Sequence, residues 1–150
     1  MVITDFDYEK LLYQIEQIKT CMEKLPETIS FLSERLRFAT RVTPKDIPAQ
    51  VVTMNSFVKI NWMNTGIIRT INLVYPEYEN NGEWKISVFS SLGAALLGRK
   101  QGNETVYKVR KREFRVKIME VVFQPEAFGS YHDKRKVQPK KETQPARQKS

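Results

Sequence analysis

SSLGAALLGRKQGN (residues 90–103) is a short helix with its start and stop written into it, inside a chain that otherwise alternates like strands from residue 51 onward. Ser90 or Ser91 supplies an N-cap oxygen for the orphan N–H groups of the first turn. Leu92, Leu96 and Leu97 form an apolar stripe, and Ala94 and Ala95 permit close approach to a neighbouring layer. Gly98 fits the left-handed residue that ends a helix, Arg99 and Lys100 suit its negative end, and Gly102 closes the turn into the next strand. The glycines are wrongly spaced for a phosphate loop, so periodicity alone reads this segment as packing. A lone Leu/Ala-rich helix among strands is the cover that the apolar face of an antiparallel sheet needs.

The flanking segments supply that sheet. In SFVKINWMN, Val58, Ile60 and Trp62 fall on one face and Lys59 and Asn61 on the other; NTG turns the chain back. IIRTINLVYP alternates less cleanly but suits an antiparallel partner. Residues 84–89 read as a third strand, and TVYKVR and FRVKIMEVVF as a closing hairpin around residues 111–113.

The first forty residues have a helical rhythm. Tyr8, Leu11, Ile15, Ile18, Met22 and Leu25 are spaced alternately by three and four, as are Ile29, Leu32, Leu36 and Ala39. Pro26 separates the two seams, which are expected to zip into a short antiparallel helical hairpin. Asp5 or Asp7 would cap the first helix, and Arg35, Arg37 and Arg41 would complement the end of the second. At 1.5 Å per residue the helices span about 27 Å and about 21 Å. The organisation expected is an α+β chain: a helical hairpin over 1–42, a linker over 43–50 marked by Pro44 and Pro48, an antiparallel sheet unit over 51–130, and a tail over 131–150.

Composition limits the function. With 150 residues and 41% apolar content the chain can bury one core. No apolar run approaches the roughly 20 residues of a membrane span, and the acidic start MVITDFDYEK does not resemble a secretion signal, so a cytoplasmic protein without membrane contact is expected. The net charge is +8, of which the tail contributes +5, from seven Lys/Arg against Asp133 and Glu142. Two prolines and few apolar residues make the tail a disordered arm, to which a weak nucleic-acid contact would fall. His132, the single histidine, lies in that arm, and Cys21, the single cysteine, reads as a small, partly buried side chain. A zinc site is therefore not expected, nor is a nucleophile–histidine pair.

VVTMNSFVKI (51–60), LVYP (73–76), SSLGAALLG (90–98), GNETV (102–106) and VVFQPE (121–126) stand in the order and spacing of the GreA/GreB family, whose Rnk type the chain most resembles. The resemblance implies an immunophilin-like sheet domain that docks on bacterial RNA polymerase at the rim of its secondary channel, with the hairpin pointing into that channel. It also implies Ser90, Ser91 and Gly93 as polymerase contacts. In the cleavage factors of the family a long hairpin carries tip carboxylates that help hold a catalytic Mg²⁺. Here the tip offers Glu23 and Glu27, with Lys24 between them opposing a cation, on helices that look too short for deep reach. The expectation is a polymerase-binding regulator that is not itself an enzyme, with no catalytic residues, metal, cofactor or small-molecule substrate. The alternatives are a transcript-cleavage factor acting through Glu23 and Glu27, and a prolyl isomerase whose pocket Trp62, Trp84, Phe89 and Phe123 would line.

Overall fold

The structure, a computed structural model, describes residues 1–129; the expected disordered arm and His132 lie outside the described residues. It is a mixed α+β fold built on a curled sheet. Strand β1 (Val2–Thr4) leads into helix α1 (Asp5–Cys21), and helix α2 (Glu27–Arg37) leads into β2 (Thr40–Val42). The main sheet holds β3 (Phe57–Trp62), β4 (Ile67–Val74), β5 (Lys85–Ser87), β6 (Glu104–Val109) and β7 (Arg112–Phe123) in the order β5-β4-β3-β7-β6. Helix α3 (Ser91–Leu96) joins β5 to β6. Register shifts between Phe57/Val58 and Lys59/Ile60 in the β3–β7 pairing are bulges of the kind that bend a sheet.

Three expectations are corrected. β1 and β2 form a separate parallel pair, Val2 facing Thr40 and Thr4 facing Val42, that ties the two ends of the helical segment together. The third strand covers only residues 85–87 and runs parallel to β4, because the preceding segment returns the chain to the level of Asn72, near the end of β4, through 3-10 turns at Pro76–Tyr78 and Asn81–Glu83. The N-cap of α1 is Thr4, whose hydroxyl accepts from the Asp7 N–H at 3.1 Å, rather than Asp5 or Asp7.

Asp7 is fully buried on the same stripe as Leu11 and Ile15. Its carboxylate accepts the Tyr75 hydroxyl at 2.9 Å and the Met54 N–H at 3.3 Å. Next to it, Thr53 shares a 2.9 Å hydrogen bond with Ser56 and donates to the buried Glu126 at 2.8 Å, while Gln124 donates to the carbonyls of Pro48 and Val51. Around this polar node runs one continuous apolar core, which contains Leu11, Ile15, Ile29, Leu32 and Leu36 of the helices, Met54 of the turn before β3, and Val58, Ile60, Ile71, Leu73 and Ile118 of the sheet.

α3 lies between α2 and the sheet, packed on β5 and β6, with Leu92 through Leu97 buried. A Cβ at Gly93 would collide with the Ser87 carbonyl and come within 2.9 Å of the Val88 Cα, so only glycine permits this approach. Gly98 ends the helix at φ +77°, in the left-handed region that glycine enters without strain.

Two expectations follow. Asp7→Asn removes an acceptor and buries an amide against two donors, which destabilises the fold by about 1.5–3 kcal/mol; Gly93→Ala, pressed against unyielding backbone, costs about 1–3 kcal/mol. Denaturant titration of each variant measures both. Burial, reinforced by Asp7, raises the Tyr75 phenol well above its ordinary value of 10. The folded state therefore holds this proton longer than the unfolded chain, and stability should fall as pH rises above about 10. Tyr75→Phe should flatten that alkaline slope in thermal melts run from pH 9 to 11.

Candidate functional site

At the start of α3, the Ser90 hydroxyl donates to the Ser87 carbonyl at 2.7 Å and accepts from the Gly93 N–H at 3.0 Å. The Ser87 hydroxyl in turn accepts from the Phe89 N–H at 2.9 Å. Ser90 and Ser91 are half-buried, whereas Gly93 is buried against residues 87 and 88. What faces outward at this end is therefore Ser91 and the edge of Ser90. Gly93 positions them by letting the helix seat closely.

The other end of α3 receives positive charge from outside its own segment. Arg35 of α2 donates to the Ala94 carbonyl at 2.6 Å, and Arg99 donates to the Ala95 carbonyl at 3.0 Å. Arg35, expected at the end of its own helix, is thus the cap that holds α2 on α3. Burial and the nearby Arg99 push its guanidinium down to about 10, which leaves it charged near neutrality. Arg41, in β2, pairs with Asp5 at 3.2 Å and Glu9 at 2.8 Å. Met1, Phe31, Glu34, Arg35 and Phe38 line an open cleft of about 300 Å³ on the outer side of α2.

The tip is small. α1 ends at Cys21, four residues before the end of its expected seam, and Met22 is extended. Cys21 is exposed rather than partly buried, because the seam turns off the helix there. Glu23, Lys24 and Glu27 are all exposed, with Glu27 in the first turn of α2. Of the aromatic side chains suggested for a proline pocket, Phe123 does not join Trp62 and Trp84. Phe123 packs on Phe57 and Phe128, at ring distances of 6.1 and 4.7 Å, while Trp62 packs on Trp84 at 6.4 Å. Phe57 and Trp62 are five residues apart on one strand, which puts these groups on opposite faces of the sheet.

The residues whose structural roles escaped sequence reading are Asp7 and Arg35, expected only to serve the ends of their own helices, and Tyr75, Thr53 and Glu126. A signal existed for Asp7: it precedes Leu11 and Ile15 at spacings of four and eight, on the buried face of the helix. For Tyr75, Glu126 and Arg35 nothing local announces the role, because these bonds reach 59 or more residues along the chain, and the Thr53–Ser56 contact is local but its extension to Glu126 is not.

The profile described as "Transcription elongation factor, GreA/GreB, C-term" matches residues 47–123. The chain is 33% identical over 132 residues to the "Regulator of nucleoside diphosphate kinase" of Escherichia coli (strain K12), covering 87% of this chain and 95% of that relative. It is 27% identical to the transcription elongation factor GreA of Amoebophilus asiaticus, covering 73% of this chain and 70% of the relative. Among solved structures, the prokaryotic transcription elongation factor GreA/GreB from Nitrosomonas europaea superposes with a TM-score of 0.65 at 32% identity, over 80% of this chain and 95% of that one. The matched region contains both the node segments 53–56 and 73–75 and the helix α3, and the chain belongs to the GreA/GreB family.

Proposed function

We propose that this transcription-associated regulator binds bacterial RNA polymerase at the secondary-channel rim through residues 51–130, an immunophilin-like unit, and does not stimulate transcript cleavage. In this reading α1 and α2 are the family's helical hairpin in shortened form, standing in the channel mouth. Ser90 and Ser91 contribute to docking, with Gly93 setting their position. The protein works in the cytoplasm, where its partner is.

The observation that carries the reading is how little of the helical segment stands clear of the body. α1 is buried in the common core as far as Ile15, and α2 from Ile29, its third residue. From Ile15 to the end of α1 at Cys21 the helix advances only about 9 Å. Glu23 and Glu27 are carried on this stub with Lys24 between them, and a polymerase metal centre set deep in a channel is out of their reach. A short stub on a docking body can still occupy the rim that longer factors use.

Full-length protein should co-precipitate with bacterial core polymerase and be displaced by a cleavage factor of the family. Glu23→Ala/Glu27→Ala should leave retention within twofold of the parent, and backtracked transcripts should remain uncleaved with either form. Ser91→Glu adds a negative charge that suits a helix start, so the fold should survive, while retention should drop about tenfold, or about 1.4 kcal/mol. No association with core polymerase, or cleavage that depends on Glu23 and Glu27, would defeat the proposal.

A further inference from the structure

The sheet continues past the part that the helices cover, and its outer end carries an unbroken row of aromatic rings with an arginine at each end. Arg69 of β4 lies 5.5 Å over the Trp84 ring, and Trp84 is 6.4 Å from Trp62 of β3. The Trp62 indole N–H donates to the Tyr107 hydroxyl of β6 at 2.7 Å. Tyr107 stacks on Phe114 of β7 at 5.2 Å and 20°, and Arg112 lies 5.4 Å over Phe114. Four strands and one loop thus contribute to a single row. None of the four rings is fully buried: Trp62, Tyr107 and Phe114 are half-buried and Trp84 is 39% exposed.

Trp84 also holds a left-handed backbone conformation, φ +57°, which is unfavourable for a bulky residue. Simple core filling does not call for an exposed tryptophan in that conformation, whereas a ring that must complete a surface does.

Charge is polarised toward the same end. The two β-hairpins, residues 57–74 and 104–117, hold eight Lys/Arg and two Glu, whereas the rest of residues 1–129 holds ten Lys/Arg and thirteen Asp/Glu. Among the described residues Arg69 and Arg112 make no ion pair, and neither do Lys108 near the end of β6 and Arg110 and Lys111 in the β6–β7 turn. Unneutralised cations beside partly exposed aromatic rings are what a single-stranded nucleic acid requires: bases stack on rings or on the arginine planes over them, and phosphates meet the guanidinium and ammonium groups.

We infer that this aromatic and arginine row is a binding platform for single-stranded nucleic acid, separate both from the α3 surface proposed for polymerase docking and from the basic tail. RNA and DNA single strands share the stacking chemistry that it reads. A duplex, whose bases are already stacked, is a poorer fit.

Both tryptophans of the chain lie in the row, so intrinsic fluorescence reports on it directly. Full-length protein is titrated with labelled 12-nucleotide RNA, DNA and duplex probes in low salt, reading probe anisotropy and tryptophan emission together. Saturable quenching by one or both single strands, in step with anisotropy and weaker for duplex, is expected. Arg69→Gln/Arg112→Gln should weaken binding at least fivefold and lower the slope of log affinity against log salt by about 1.4, at about 0.7 per lost phosphate contact. Trp84→Asn, with a residue that tolerates positive φ, should weaken it by roughly five- to a hundredfold. Circular dichroism and melting temperature establish that each variant is folded, and the arginine pair decides the matter if Trp84→Asn is not. Anisotropy without quenching, or unchanged affinity in the arginine variant, would assign binding to the tail and overturn the inference. Equal quenching by a poly-glutamate peptide would overturn it in favour of an acidic protein surface, and no binding at 50 mM salt would overturn it outright.

Discussion

A carboxylate buried out of reach of water is tolerated only where donors converge on it, and Asp7 meets this condition through groups supplied by two distant segments. The Tyr75 hydroxyl and the Met54 N–H come from positions 68 and 47 residues along the chain. Isolated in an apolar interior, an ionised group would cost far more than the few kcal/mol by which a domain is stable. The constraint is therefore steep: α1 must present Asp7 to the 53–56 turn and to residue 75, and that choice fixes the rotation of the helix. Leu11 and Ile15, one and two turns further along the same stripe, are then directed into the sheet's core. The segments VVTMNS, LVYP and VVFQPE meet at this point through Thr53, Ser56, Tyr75, Gln124 and Glu126.

That anchoring decides how far the helical segment can act from the body. A helical pair joined only at its base could project for its full length. Here the pair is also held by Arg35 on the end of α3, by the β1–β2 pairing, and by Arg41 bridging back to Asp5 and Glu9. Such ties spend most of α1 on packing and leave a stub. α3 is the shared wall between helices and sheet: its N-terminal serines face outward beside a glycine pressed on residues 87 and 88, while its C-terminal carbonyls receive two arginines from the other side.

The curled sheet has two unlike ends. Near the node its inner face is aliphatic and covered, with Val58, Ile60, Ile71, Leu73 and Ile118 excluded from water. Beyond Trp62 the same face becomes aromatic and cationic and is left half open. This division separates the α3 surface proposed for docking from the aromatic and cationic row inferred to bind single strands.

The local signals in the sequence specified the α3 helix almost completely, since its cap, apolar stripe and terminating Gly98 are all short-range features within ten residues. They also marked the two N-terminal helices and the strands β3, β4, β6 and β7, through periodicities that hold whatever the surroundings. Family membership was legible in five spaced segments. The parallel direction of β5 and the pairing of β1 with β2 were not, because three-residue strands carry too little alternation to read and their partners are chosen by the path of the chain. The roles of Arg35 and Glu126 were equally hidden: as single polar residues they resemble surface positions, and only the folded chain brings their partners within hydrogen-bonding distance; for Asp7 the helical spacing signals burial but not its partners. Residue type and short spacing thus determined which elements form. The tertiary structure alone decided how deeply the helices are embedded and which side chains share a surface, because both depend on contacts between residues far apart in the chain.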